Sequence, residues 1–138
     1  MKKQIFLLLS LSLLVLVGCS DKVGLKGKAM FSDDKSPIPT GSVCFETSSY
    51  FARAELNPDG TFTVGSLKAN DGLPPGKYNV YIAGARKPVG THASGETLYE
   101  PLIDPKFASG QTSEITIEVT ASTKYFEVFA DRYAPGNR

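Results

Sequence analysis

Glu114-Ile-Thr-Ile-Glu-Val-Thr120 alternates polar and apolar residues without a break. Successive side chains of a strand point to opposite faces, so this spacing puts Ile115, Ile117 and Val119 on a buried face and the Glu and Thr residues in water. The same period recurs on both sides. Phe126, Val128 and Ala130 follow it towards the C-terminus, and Tyr78, Val80 and Ile82 follow it upstream. No stretch after residue 22 carries apolar residues at helical spacing over ten or more positions. The chain is therefore expected to be all-β.

Turn chemistry divides the rest. Asn57-Pro-Asp-Gly60 separates a strand near Tyr50 to Leu56 from one at Thr61 to Val64. Pro58 suits the second position of a type I turn, and Gly60 can take the left-handed conformation of a bulge, so a tight hairpin is expected. Leu73-Pro-Pro-Gly76 reads as a type II turn into the strand of Tyr78. Two further strands, about Leu25 to Phe31 and Gly41 to Glu46, share the pattern Gly-x-apolar-x-Phe. They are expected to meet the core with similar tapers from small to large. Seven strands of this kind between Gly/Pro turns favour a seven-stranded Greek-key β-sandwich.

The N-terminus is read separately. Lys2 and Lys3 precede a nearly unbroken apolar run from Ile5 to Val17, then Leu16-Val-Gly-Cys19 and the polar Ser20, Asp21 and Lys22. The run is shorter than the roughly 20 residues that span a bilayer, and its flanks are those of a secretory signal. Leu16 to Cys19 resembles the lipobox of bacterial lipoproteins. That resemblance implies cleavage after Gly18, lipidation of Cys19 and a membrane anchor carried by two or more acyl chains (palmitate among them), the number that makes anchoring stable. Residues 1–18 are thus expected to be removed, 19–23 to form a lipidated tether, and 24–138 to form the domain. Ser20 resembles the default for outer-membrane sorting, although Asp21 stands one place later.

Removal of residues 1–18 leaves 120 of 138 residues and takes away two of the 15 basic residues against 14 acidic ones, so net charge moves from +1 to about −1. With no basic block longer than Arg86-Lys87, nucleic-acid binding lacks its usual footprint. A lipidated Cys19 leaves Cys44 without an intrachain partner, so the domain must be held by packing.

From about Leu25 to Ala130 the chain resembles the transthyretin-like, carboxypeptidase-regulatory-like domains of short bacterial lipoproteins. The matching pieces are Gly27-Lys-Ala-Met-Phe31, Pro39-Thr-Gly-Ser-Val-Cys-Phe45, Asp59-Gly-Thr-Phe62, Gly72-Leu-Pro-Pro-Gly-Lys-Tyr78 and Pro101-Leu-Ile-Asp-Pro-Lys-Phe107 with Thr112-Ser113, in the family's order. The resemblance implies a prealbumin-like sandwich in a cell-envelope setting. Some transthyretin-like proteins hydrolyse 5-hydroxyisourate with several His and Arg residues and a Tyr-Arg-Gly-Ser ending. Here there is one histidine and the ending is Arg132-Tyr-Ala-Pro-Gly-Asn-Arg138, so that activity is not carried over.

The connection from Ala85 to Thr112 is too long for an ordinary turn. It is read as a surface excursion whose Leu98, Leu102, Ile103 and Phe107 pack along a sheet edge, with a binding loop or lid as the alternative. It holds His92, for which a solvated position is expected, since no second ligand stands at zinc spacing. Asp33-Asp34 and Asn70-Asp71 lack the alternating spacing of a calcium loop and are assigned to turns. Catalytic residues, metals and cofactors are not expected. Outward aromatics are the candidate ligand-binding residues: Phe51, Tyr81, Tyr125 and Phe129 by strand parity, and Tyr99 from the long connection. If strand order gathers them, they could stack on a glycan or an envelope protein. The expected function is a non-enzymatic, lipid-anchored envelope module for interaction or structure. A carbohydrate-binding module is the alternative, and a small hydrolase stands third.

Overall fold

The computed structural model describes residues 22–64 and 72–136. Residues 1–18, expected above to be a signal peptide, and Cys19 lie outside the described residues. Nine strands follow in order: β1 (Leu25–Phe31), β2 (Ser42–Glu46), β3 (Phe51–Glu55), β4 (Thr61–Val64), β5 (Gly76–Ala83), β6 (Arg86–Thr91), β7 (Thr97–Pro101), β8 (Ile115–Val119) and β9 (Tyr125–Ala130), with one 3-10 turn at Pro105–Ala108. The seven expected strands stand where alternation put them. The other two, β6 and β7, occupy the connection that was read as irregular.

The strands form a three-stranded sheet β4-β1-β9, a four-stranded sheet β3-β2-β5-β8 and a separate two-stranded hairpin β6-β7. The first two enclose a common core in a sandwich-like arrangement. Leu25, Ala29, Phe31, Phe62, Val64, Val128 and Ala130 come from one sheet, and Val43, Phe45, Ala54, Tyr78, Val80, Ile82, Ile117 and Val119 from the other. Phe45 and Phe62 meet across the interior at 6.1 Å between ring centroids. Gly27 makes that meeting possible. A Cβ there would collide with the Phe126 carbonyl oxygen and the Phe62 ring, so the glycine of the first Gly-x-apolar-x-Phe copy is the floor under an aromatic side chain. In the second copy Gly41 lies outside the strand, at φ 117°. The two glycines thus answer different demands.

The Asn57–Gly60 hairpin forms as its residues dictate. Asn57 N–H donates to Thr61 O at 2.9 Å, Gly60 N–H donates to Asn57 O at 2.8 Å, and Gly60 has φ 80°. The Pro-Pro-Gly stretch does not make the expected type II turn. Leu73 instead exchanges two backbone hydrogen bonds with Val23, at 2.8 and 3.0 Å, and Gly76 already begins β5. This pairing also draws Val23 into the core, so the body begins inside the stretch assigned to the tether.

Approaching β8, the connection runs back past β5 and β2. Ser113 Oγ donates to Val80 O, and Gly110 stands against Tyr81 and Glu46. Cys44, on the outward parity of β2 and across from Tyr81 of β5, is only 1% exposed, and burial raises its thiol pKa. Of the four apolar residues expected to pack along a sheet edge, Ile103 is buried in the core and Leu102 and Phe107 pack against it, whereas Leu98 is exposed.

A clasp closes the end of the sandwich formed by the C-termini of β1 and β9. Arg132 donates to Asp33 Oδ2 at 2.8 Å, to both Asp34 oxygens at 3.0 Å and to Ser36 Oγ at 2.7 Å, and its guanidinium lies 3.8 Å from the centre of the Phe31 ring. Hydrogen bonds from the Ser36 side chain and backbone, with Arg132 adding to them, hold the Asp34 carboxyl well below the usual carboxylate range. A depressed carboxylate stabilises the fold above its unfolded pKa near 3.8 and loses that contribution as pH falls towards its folded value. Ser36→Ala should therefore melt below the parent at pH 5, with the gap closing as pH falls below about 4, because the variant has less of this contribution to lose. Melting curves at pH 5, 3 and 2 test this, and superimposable profiles would remove Asp34 from the account.

Candidate hairpin-base cleft

The long connection leaves β5 at Gly84, whose φ of 69° suits glycine and swings the chain away from the four-stranded sheet. It then doubles back as β6 and β7. Lys87 Nζ bridges to Glu100 Oε2 across the pair at 3.2 Å. The register slips between Pro88 and Gly90, which a two-stranded ribbon tolerates because both its strands are edges. At the tip His92 N–H donates to Glu96 O at 2.7 Å, and Gly95 takes φ 88°. The His92 ring turns inward on its own loop, with Nδ1 2.9 Å from Ser94 Oγ and accepting from Ser94 N–H at 3.2 Å. Histidine here shapes a turn.

Every hairpin residue is exposed except the partly covered Glu100, and none belongs to the core. Val89, Leu98 and Tyr99 are 54%, 45% and 50% exposed. The base is held by Leu102 N–H donating to Ala85 O at 2.9 Å and by buried Ile103. Just beyond, Asp104 caps the 3-10 turn by accepting from Lys106 N–H at 2.9 Å.

Between hairpin and body lies a cleft of about 370 Å³. Ile82, Ala85, Ile103, Pro105 and Ala108 wall it from the body, and Arg86, Tyr99 and Pro101 wall it from the hairpin. The Arg86 guanidinium stands 4.3 Å from the centre of the Tyr99 ring, a cation–π geometry. Its volume falls in the range of small-ligand sites, which are mostly apolar with a few placed polar groups.

The aromatic candidates do not gather. Phe51 and Tyr81 share the outer face of the four-stranded sheet, on either side of Cys44 and Glu46. Tyr81 is partly covered by Gly110. Tyr125 and Phe129 sit on the outer face of the other sheet, across the core, with Lys35 Nζ 4.2 Å over the Phe129 ring. Tyr99 alone reaches the cleft. Arg86, Pro105 and Ala108 were not singled out as site residues, because residues from β6, β7 and the 3-10 turn converge only in three dimensions. Asp33 and Asp34, weighed above for calcium, are engaged by Arg132 instead.

No family model and no curated protein matches the chain. Solved structures similar to it include DUF3823 family proteins from Bacteroides ovatus (16% identity, TM-score 0.45, 82% of this chain and 46% of that one) and Parabacteroides merdae (11%, 0.45, 81% and 47%). The major pilin subunit of Bacillus cereus is similar at 12% identity and TM-score 0.42, over 82% of this chain and 30% of the pilin. The chain spans less than half the length of each.

Proposed function

We propose that this protein is a lipid-anchored cell-envelope module that holds its hairpin and cleft away from the membrane as a non-catalytic interaction site. The observation behind this reading is the opposition of the two ends. Val23, Leu73 and Tyr50 mark one end, with Val23 bonded to Leu73 and Tyr50 Oη donating to Gly72 O at 2.6 Å. Phe31, Ser42, Ala83 and Ala85 mark the other, where the hairpin leaves the body. The seven residues of β1 separate them by about 20 Å at a strand's rise per residue. A lipid on Cys19 would hold the first end at the bilayer. The anchor of this reading is the lipobox lipid; no helix among the described residues is long and apolar enough to cross a membrane.

The finer architecture belongs to the same reading. A prealbumin-like Greek-key sandwich, in the transthyretin-like manner, is supported by the orders β4-β1-β9 and β3-β2-β5-β8 and by the parallel pairing of β1 with β9. The partners are the membrane through the lipid and an envelope component at the hairpin end. Outer-membrane placement follows from Ser20. The aromatics lie two on each outer face rather than in one platform, and the His92 ring is engaged by Ser94 on its own loop; both favour the interaction reading.

Orientation is measurable. Spin labels on Ser48→Cys, in the turn beside Tyr50, and on Glu96→Cys, at the hairpin tip, can be compared on lipidated protein in vesicles. Buried Cys44 with its raised pKa should stay unlabelled. Position 48 should lie near the lipid surface, and position 96 should respond only to a water-soluble relaxant. A tip as close to lipid as position 48 would overturn the orientation.

A further inference from the structure

We infer that the hairpin-base cleft binds a small apolar carboxylate, with Arg86 receiving the carboxylate and the body-side wall receiving the apolar part. The inference rests on the reading that the hairpin end is the working end. Its first support is a difference among neighbouring cations. At this end of the molecule Lys87 holds Glu100 at 3.2 Å, Lys106 holds Asp131 at 3.2 Å, and Arg132 holds Asp33 and Asp34. Arg86 has no acidic partner among the described residues. Stacking on Tyr99 occupies the face of its guanidinium and leaves the in-plane N–H fork free, the geometry that takes a carboxylate through two parallel hydrogen bonds.

The second support is the composition of the walls. Arg86 is the one charged residue lining the cleft, and opposite it Pro105 and Ala108 offer apolar side-chain surface over the buried Ile82, Ala85 and Ile103. Several classes of ligand fit this poorly. A wholly apolar ligand would leave the cation unused, and a phosphate would bring a second charge against a wall with nothing to receive it. A sugar would find few side-chain acceptors for its hydroxyls. An aliphatic or aromatic group one or two bonds from a carboxylate matches both walls. Two sources share that chemistry: a free small acid, and the C-terminal carboxylate of a peptide ending in an apolar residue.

The test uses the full-length chain in phosphatidylcholine nanodiscs, with isotope-labelled isoleucine methyl groups and the Arg86 Nε–H as reporters. The probes are 3-phenylpropionate, its neutral amide, and an N-acetylated dipeptide ending in phenylalanine with a free carboxylate. The acid should shift the Ile82 and Ile103 methyl signals saturably, and the amide should not. Arg86→Gln should weaken binding at least tenfold, with Arg86→Lys restoring only part of it. A dipeptide that binds better than the acid assigns the peptide source, and the reverse order assigns the free acid. No saturable shift, equal shifts from acid and amide, or unchanged binding in Arg86→Gln would overturn the site. Failure here with an intact lipid on Cys19 would reject the ligand and leave the anchored module standing.

Discussion

Gly27→Val should lower the melting temperature by on the order of 10–15 °C, which corresponds to about 3 kcal/mol or more for a domain of this size. The cause is geometric. β1 is the central strand of its sheet, paired with β4 on one side and β9 on the other. A Cβ at residue 27 would collide with the Phe126 carbonyl oxygen on β9 and with the Phe62 ring on β4. A ring can turn aside, but this one packs against Phe45 in the core, and a backbone carbonyl inside a sheet cannot yield without breaking its pairing. Overpacking usually costs 1–3 kcal/mol and more where no neighbour can move. Against a total stability of 5–15 kcal/mol the loss is large. Gly90→Ala supplies the contrast, because a Cβ there meets open space and φ is ordinary; its melting temperature should stay near the parent's. Thermal denaturation of the two variants, followed by circular dichroism, measures both. Equal melting points would show that Phe62 does not sit over residue 27.

The parts of this fold legible in the sequence are those with a one-sided apolar signal. Ile117, Val119, Val80 and Ile82 announce their strands because one face of each is dry and the other wet. Asn57–Gly60 announces its hairpin because the turn's chemistry is local. β6 and β7 give no such signal. They are exposed on both faces, so nothing forces an apolar period, and Pro88, Gly90 and Gly95 imitate loop composition. Leu73-Pro-Pro-Gly was misread for a related reason: its conformation is set by pairing with Val23, fifty residues earlier, and no local pattern encodes that partner.

The site was legible to a lesser degree. Parity placed Phe51, Tyr81, Tyr125 and Phe129 on outward faces correctly. Parity does not say which sheet a strand joins, and strand order sends two of them to each side of the core. Tyr99 was a candidate without a stated partner. Arg86, one residue inside the hairpin, became its partner only through the register of β6 with β7, in which Arg86 faces Pro101 and Tyr99 stands diagonally across. Cys44 is almost wholly buried despite its outward parity, which the alternation of β2 alone does not encode.

Loss of the proposed anchor is expected to have the largest functional effect, because the proposed orientation of the hairpin end depends on the opposite end being held. Cys19 supplies the thiol that would take the lipid, and a single hydrophobic chain gives only reversible attachment while several hold firmly. Cys19→Ala removes the acceptor and leaves Cys44 as the only thiol in the chain. Cys44 cannot substitute, since it is 1% exposed. Loss of the label should therefore be complete rather than graded, and the protein should persist as an uncleaved precursor that retains residues 1–18. Metabolic labelling of cells with a clickable palmitate analogue, comparing the parent with Cys19→Ala, tests the central claim most directly. The account predicts strong labelling of a processed parent and none of the variant; an unlabelled parent, or a variant labelled and processed like it, would contradict the claim that this is a lipid-anchored protein.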